Sequence, residues 1–495
     1  MSENETQAEV GTTRRGWTAS KVLIAVVLTA VVTFGMTALL VNILERRTES
    51  AQPNHNVVEL SDTTYDPAVW GQNYPQQYES YLRTEEMGLT VYGGSQPIEL
   101  TPSETDPRSV GSSSRLEDDP RLRIMWAGYA FAKGYTHARG HEWMLEDQRY
   151  TVRVLDFNQP GTCLNCHASM PEVYDELGNG DREAGFDTVN AMTYSEATQH
   201  ASGPVACIDC HDPDTMSLRI TRPAFVTGIA ALKASEGIED YDVNRDATTD
   251  EMRSYVCAQC HVEYYFDGDA GNRLTFPWAE GNHIDDIWKY YEEDGHIDFE
   301  HEITGASILK AQHPEFEIWS QGVHADAGVS CADCHMSYDR SAAQKVTDHH
   351  INSPLFDANA SCGTCHSDDA ETLVNRVVTL QDRFVVSRNQ AFDALVSLIY
   401  NIEEGMANGV DEDSLDLARE YQNKASFYLD FVYSENSYGF HAPDYTQSVL
   451  IDSMDASRMG ELALEGASRE DLEASEVTQK YAQDIEDRSD LEFLR

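Results

Sequence analysis

The sequence predicts a mainly α-helical protein: an N-terminal transmembrane helix, a loop-rich central region built around covalently attached groups, and a C-terminal region of long helices. Three observations carry this. Val22 to Leu44 is an uncharged apolar run. The ten cysteines fall into five C-x-x-C pairs, each followed at once by histidine. Beyond Cys365, apolar residues recur at helical spacing with little Gly or Pro.

Chain length, 495 residues, allows one large domain or two to three ordinary ones. A hydrophobic share of 41% with 24% charged residues fits a folded globular chain. The 85 acidic and 35 basic side chains give a net charge of −50, which argues against nucleic acid as a partner because phosphate binding needs a basic face. So acidic a surface needs screening to limit self-repulsion. Two readings of it stay open: adaptation to high salt, or a merely soluble acidic surface.

Residues 1–21 read as a cytoplasmic tail. Val22 to Leu44, VLIAVVLTAVVTFGMTALLVNIL, would be a helix about 35 Å long, enough to cross a hydrocarbon core of about 30 Å. Signal-peptide cores are shorter, about 7–15 residues, so an uncleaved anchor is favoured over a removed signal. Arg14, Arg15 and Lys21 precede the run and Arg46 and Arg47 follow it, which leans towards a cytoplasmic N-terminus. Residues 45–65 are polar and acidic and read as a tether. From 66 to 368 short helical patterns alternate with Gly, Pro and Asp turns. The five cysteine units sit there at irregular intervals, so this is no regular repeat array. In 369–466, Leu373, Val377, Leu380, Phe384, Ala391, Leu395 and Ile399 mark a helix from Asp369 to about Met406. Leu415–Val432 and Tyr445–Leu464 look similar. Residues 467–495 form a strongly acidic tail, either a surface helix or disordered.

The pairs are Cys163/Cys166, Cys207/Cys210, Cys257/Cys260, Cys331/Cys334 and Cys362/Cys365, followed by His167, His211, His261, His335 and His366. C-x-x-C-H is the signature of c-type haem attachment. The thiols add to the haem vinyl groups as thioethers, and the adjacent imidazole becomes an axial iron ligand. A bare C-x-x-C can mean zinc or thiol redox chemistry, but neither demands a following histidine. With 17 histidines in the chain, five such neighbours by chance is roughly one in twenty million. Five covalent haems follow, forming much of the core, and no cysteine is left over for a disulfide. Haem attachment of this type occurs outside the cytoplasmic membrane, where the anchor would hold the chain. An electron-transfer cytochrome closes both axial positions of every iron, whereas an enzyme keeps one open. Twelve histidines outside the motifs could close all five irons, so composition leaves conductor and enzyme both open.

Several segments then carry a family likeness: DPAVWGQNYPQQYESY, RLRIMWAGYAFAKGY, RGHEWML, VACIDCH, CAQCHVEYYFDG, KAQHPEFEIW, GVHADAGVSCADCH, TDHHINSPL and FHAPDY. The chain resembles the pentahaem, ammonia-forming cytochrome c nitrite reductases from about Asp66 to about Gly466. The resemblance implies six-electron reduction of nitrite to ammonium at the haem of Cys163 and Cys166, fed by four bis-histidine haems. The alternative is a membrane-tethered multihaem electron-transfer cytochrome without catalysis. Most relatives have lysine under the catalytic iron, in C-x-x-C-K; here the position is His167.

By the same resemblance, Arg153, Tyr264 and His313 form the distal pocket. A guanidinium suits an anion, a histidine can deliver protons near neutral pH, and a phenol can donate a hydrogen bond. Calcium is implied beside it, on the side chains of Glu263 and Gln312 and the backbone carbonyls of Tyr264 and Lys310. The remaining irons would be closed by His141 opposite His261, His349 opposite His211, His324 opposite His366, and His441 opposite His335. His350 adjoins His349, which is preferred from its place after Asp348. His55, His137 and His296 are expected at the surface. The implied partners are nitrite, a quinol-oxidising membrane cytochrome as electron donor, and a second copy of the chain across the long helices, although their apolar stripes could equally pack within one chain. The implied location is the periplasmic, extracytoplasmic side of the membrane.

Overall fold

The computed structural model describes residues 18–50, 56–341 and 344–473. Most of the expected N-terminal tail, and 474–495 of the acidic tail, lie outside them, as does His55. The chain divides into Met1–Asn56 and Val57–Arg495. In the first unit, Ala19–Ser50 is one helix of 32 residues. Its Ala19–Val41 stretch has mean hydropathy 2.5 and is wholly unburied, so it is long and apolar enough to cross a membrane. The helix runs past the apolar run because nothing between Thr37 and Ser50 is Gly or Pro.

The tether expected over 45–65 is shorter than its composition suggests. Residues through Ser50 are helical, and those from Val57 belong to the folded body. Leu60 packs with Trp70, Ala206 and Ile208, with Val58 and Tyr65 against them. The Asn73 side chain accepts from Val57 and Val58 N–H groups at 2.7 and 3.1 Å and donates to the Val58 carbonyl at 3.0 Å. The Trp70 indole donates to the Thr64 carbonyl at 2.7 Å.

The central region consists of short helices and four two-stranded antiparallel pairs, with no larger sheet among the described residues. Its longer helices are Arg182–Ala191, Pro223–Ser235, Thr249–Ala258 and Ile284–Asp294. Local signals set their ends. Thr248 and Glu251 form a reciprocal cap at the start of Thr249–Ala258. Gly295, at φ +77°, stops Ile284–Asp294 in the left-handed conformation glycine adopts freely.

The expected long helices are Ala370–Asn408, Glu412–Ser434 and Pro443–Leu464. Asp369 and Asp411 cap the first two, accepting from Thr372 and Ser414 N–H groups at 3.0 Å each. Leu395, Leu398, Ile399 and Ile402 are fully buried. The first and third helices meet at Gly460, where a Cβ would lie 2.8 Å from Leu398. The middle helix is buried on every side from Ala425 to Ser434 and carries Asp430, which meets Lys310 of the central region at 3.0 Å. Val386, Tyr400, Met406 and Ile451 remain exposed on the other two. Leu398→Ala should destabilise the haem-loaded protein by about 2–5 kcal/mol, read as a lower denaturant midpoint; an unchanged midpoint would show that this seam does not hold the helices together.

Candidate haem sites and anion pocket

Four of the five cysteine motifs lie on or end helices, at Leu164–His167, Cys207–Cys210, Thr249–Ala258 and Cys331–His335; the fifth begins a 3-10 turn, Cys362–Thr364. The residues between the cysteines help to build them. The Asp209 carboxylate returns to the Ala206 N–H at 2.7 Å, and that of Asp333 to the Ser330 N–H at 2.9 Å. All ten thiols are free of disulfides. The Cys166 and Cys260 thiols interact, as do Cys257 and Cys331, while Cys334 feels Cys362 and Cys210 feels Cys260 electrostatically. The motifs therefore run first, third, fourth, fifth through space, with the second beside the third.

Four motif histidines face a second imidazole at nearly one spacing. Ring centres are 6.3 Å apart for His261 and His141, 6.2 Å for His211 and His349, 6.3 Å for His366 and His324, and 6.2 Å for His335 and His441. Two metal–nitrogen bonds of about 2 Å plus about 1.1 Å from each nitrogen to its ring centre sum to about 6 Å. The pairs therefore fit a six-coordinate iron between them. His350 instead meets Asn352 at 2.9 Å. His167 faces no second imidazole at that spacing among the described residues; its Nδ1 lies 3.2 Å from the Met144 carbonyl.

One short segment serves two motifs. Arg139–Arg153 supplies His141, the Met144 carbonyl and Arg153. Buried Arg139 fixes it by bonding Asp147 at 2.8 and 2.5 Å and stacking 4.2 Å from Trp143. Gly140, at φ +117°, has no room for a Cβ against the Thr84 carbonyl. Arg153 donates to Gln148 at 3.1 Å and stands 4.3 Å over the Phe131 ring. Arg153 and His313 both act electrostatically on His167, and Arg153 also on Tyr264, so the three expected pocket residues converge on the first motif. Burial pushes His313 down to about 4 and raises the Tyr264 phenol. At neutral pH His313 is thus a neutral donor, without the minor imidazolium fraction that an unperturbed value of about 6.5 would leave.

The expected calcium residues also meet. Glu263 is fully buried; its carboxylate accepts from the Gln312 N–H at 2.6 Å and the Tyr291 hydroxyl at 3.0 Å. The Gln312 amide donates to the Lys310 carbonyl at 2.9 Å. Burial, with Glu317 and Asp298 adding negative charge, drives the Glu263 carboxyl well above the usual range. A hard cation among these oxygens would restore its ionised form. No cluster of three or more His, Cys, Asp or Glu is disposed to hold a metal among the described residues, so such a site relies on carbonyl and amide oxygens.

Several residues here carry no sequence signal. Phe131 lies under both Arg153 and the Lys310 ammonium, the latter at 4.9 Å. Lys310 pairs with fully buried Asp430 at 3.0 Å. Arg222, 1% exposed, ties the first two motifs together: it donates to the Asn165 and Ala168 carbonyls at 2.7 and 2.9 Å and to Asp209 at 2.8 Å. His137 and His296, expected at the surface, are half-buried. His137 lies 2.7 Å from Asp118, and the His296 ring 4.7 Å from that of Tyr265. Arg222→Met leaves Asp209 buried without its cation, at a cost of about 3–5 kcal/mol; the thermal midpoint of the haem-loaded protein should fall, and an unchanged midpoint would refute the clamp.

The cytochrome c552 family matches residues 66–492. Cytochrome c-552 of Parabacteroides distasonis is 34% identical over 444 residues, 88% of this chain and 84% of that protein. The cytochrome c nitrite reductase subunit NrfA of Nitratidesulfovibrio vulgaris is 32% identical over 442 residues, 82% of this chain and 79% of that one. The solved catalytic subunit of the cytochrome c nitrite reductase of Desulfovibrio desulfuricans ATCC 27774, described with two calcium sites, matches with a TM-score of 0.70 at 28% identity, covering 86% of this chain and 91% of that one. With its five covalent haem motifs and this fold, the chain belongs to the cytochrome c552 family.

Proposed function

We propose that the protein reduces nitrite to ammonium at the haem held by Cys163 and Cys166. The observation that carries this reading is the contrast between one motif histidine, His167, facing no second imidazole among the described residues and four that do. In this reading His141, His349, His324 and His441 close the other four irons opposite His261, His211, His366 and His335. The haem supplies an iron that can bind the anion and pass it electrons singly.

The chain's own residues do the rest. Arg153, steadied by Gln148 and Phe131, offers a fork of donors to the oxygens of an anion. Its charge matters more in a protein of net charge −50, whose distant field repels anions. Neutral His313 donates one N–H, and an anion nearby favours its protonated form, so substrate arrival helps to load the proton that N–O cleavage consumes. Tyr264, held as a phenol, donates a hydrogen bond without being able to lose its proton near pH 7. Calcium held by Glu263, Gln312 and the carbonyls of Tyr264 and Lys310 would add fixed positive charge behind this wall and set its geometry.

The Ala19–Val41 stretch would anchor the protein with its haems on the extracytoplasmic side, close to a quinol-oxidising membrane cytochrome as donor. The exposed Val386, Tyr400, Met406 and Ile451 suit a homodimer across the long helices.

Fully haem-loaded protein given nitrite and a reduced viologen should produce ammonium; nitrite left unconsumed would reject the enzyme reading. Arg153→Ala should lower kcat/KM by about 10- to 100-fold, the range expected for losing a charge-assisted hydrogen bond, chiefly through KM. An unaltered KM would remove Arg153 from the pocket. Chelation should lower activity and added calcium restore it; activity indifferent to chelator would exclude a calcium role.

A further inference from the structure

An axial imidazole binds iron through one nitrogen and has the other, here Nδ1, for the protein. What Nδ1 meets tunes the metal: a stronger acceptor draws the proton outward and makes the imidazole a more electron-rich ligand, which favours the ferric state. Four of these outer nitrogens meet backbone carbonyls. They are His167 at Met144, 3.2 Å; His211 at Met216, 3.0 Å; His335 at Asn352, 3.0 Å; and His349 at Thr347, 2.9 Å.

Two others meet carboxylates. His441 Nδ1 is 2.7 Å from Glu435 Oε1, and His261 Nδ1 is 3.7 Å from Glu315 Oε2. Both carboxylates are sequestered: the Glu435 side chain is fully buried and that of Glu315 is 13% exposed. Neither His441 Nδ1 nor Glu315 Oε2 has a hydrogen-bond partner, so each faces its opposite number with no competing group.

One segment aims both carboxylates. The Ser437 N–H and hydroxyl each donate to Glu435 at 2.8 Å. Asn436 donates to Glu315 Oε1 at 2.6 Å and is itself held by Arg115 at 2.9 Å. The turn that follows is locked, with Tyr438 at φ +55° and Gly439 at φ +79°, and a Cβ on Gly439 would lie 2.7 Å from Phe384. The same turn then delivers His441. Such a built arrangement on two neighbouring haems, the third and fourth motifs, contrasts with the haem of Cys207 and Cys210, whose two imidazoles both end on carbonyls.

We propose that Glu435 and Glu315 are positioning residues that lower the reduction potentials of the haems on Cys331/Cys334 and Cys257/Cys260 below that of the haem on Cys207/Cys210. The two haems leading to the first motif are then stronger reductants than the haem of the second. This rests on the reading above that His441 and His261 are axial ligands.

Potentiometric titration of the full-length, haem-loaded protein, followed by optical and electron paramagnetic resonance spectra, tests it. Glu435→Gln keeps the side chain's shape and removes its charge. It should shift the reduction equilibrium of one low-spin haem about tenfold towards ferrous, about 59 mV for one electron. Glu315→Gln should raise a different haem by a smaller amount, in keeping with the longer contact. Ser437→Ala removes a donor that competes for the Glu435 charge and should lower the same haem that Glu435→Gln raises, which keeps the test available if that variant loads haem poorly. Potentials unchanged in haem-loaded variants would overturn the proposal. His441→Ala separates the two readings. Conversion of one low-spin haem to high spin, with Glu435→Gln silent, rejects the tuning alone; no conversion rejects the axial assignment beneath it.

Discussion

The structure depends on pairs of imidazoles held about two metal bonds apart by segments remote in sequence. Each motif fixes a haem to the chain locally through two thioethers and one histidine. The second histidine comes from elsewhere: His141 from the segment before the first motif, His349 from beyond the fourth, His441 from the turn between the second and third long helices. With iron bound between its rings, as proposed, each such pair would act as a cross-link between distant parts of the fold. Such links would explain how a central region with only two-stranded sheets and mostly short helices among its described residues can be ordered. The energy that larger sheets supply elsewhere would come here from ligation and from apolar contact with the haem plates.

The three long helices do a different job. They form a conventional core of Leu395, Leu398, Ile399, Phe427 and Phe431 and present it to the haem region through a few polar links. Lys310 with Asp430, and Trp126 with the same carboxylate at 3.3 Å, join the middle helix to the wall of the pocket. The turn after that helix carries Glu435, Asn436 and His441. The helical bundle is thus the base that sets His441 and Glu435 against the fourth motif and holds, through Asn436, Glu315 beside His261 of the third. Removing one partner of a buried pair at this junction would disturb both stability and pocket geometry.

What could be read from the residues alone follows from range. The motif cysteines and histidines are contiguous, so their chemistry is legible at sight. The long helices show because apolar spacing and aspartate caps are local signals, and their ends differ from the expected ones by only a few residues. The histidines that face the motif histidines were legible only through family resemblance, since a lone histidine far from its partner has no pattern of its own. Glu435, Asp430 and Asp209 are invisible among 85 acidic residues until folding removes them from water. Composition also misled over residues 57–65, where Leu60 and Tyr65 dock against Trp70 and Ile208 within an acidic, polar stretch.

The central claim is that one iron, the one above His167, is closed on one side only while four are closed on both. Electron paramagnetic resonance of the oxidised, fully loaded protein counts this directly. One high-spin and four low-spin ferric haems are predicted, with added nitrite converting the high-spin signal alone. Five low-spin haems, unaltered by nitrite, would contradict it.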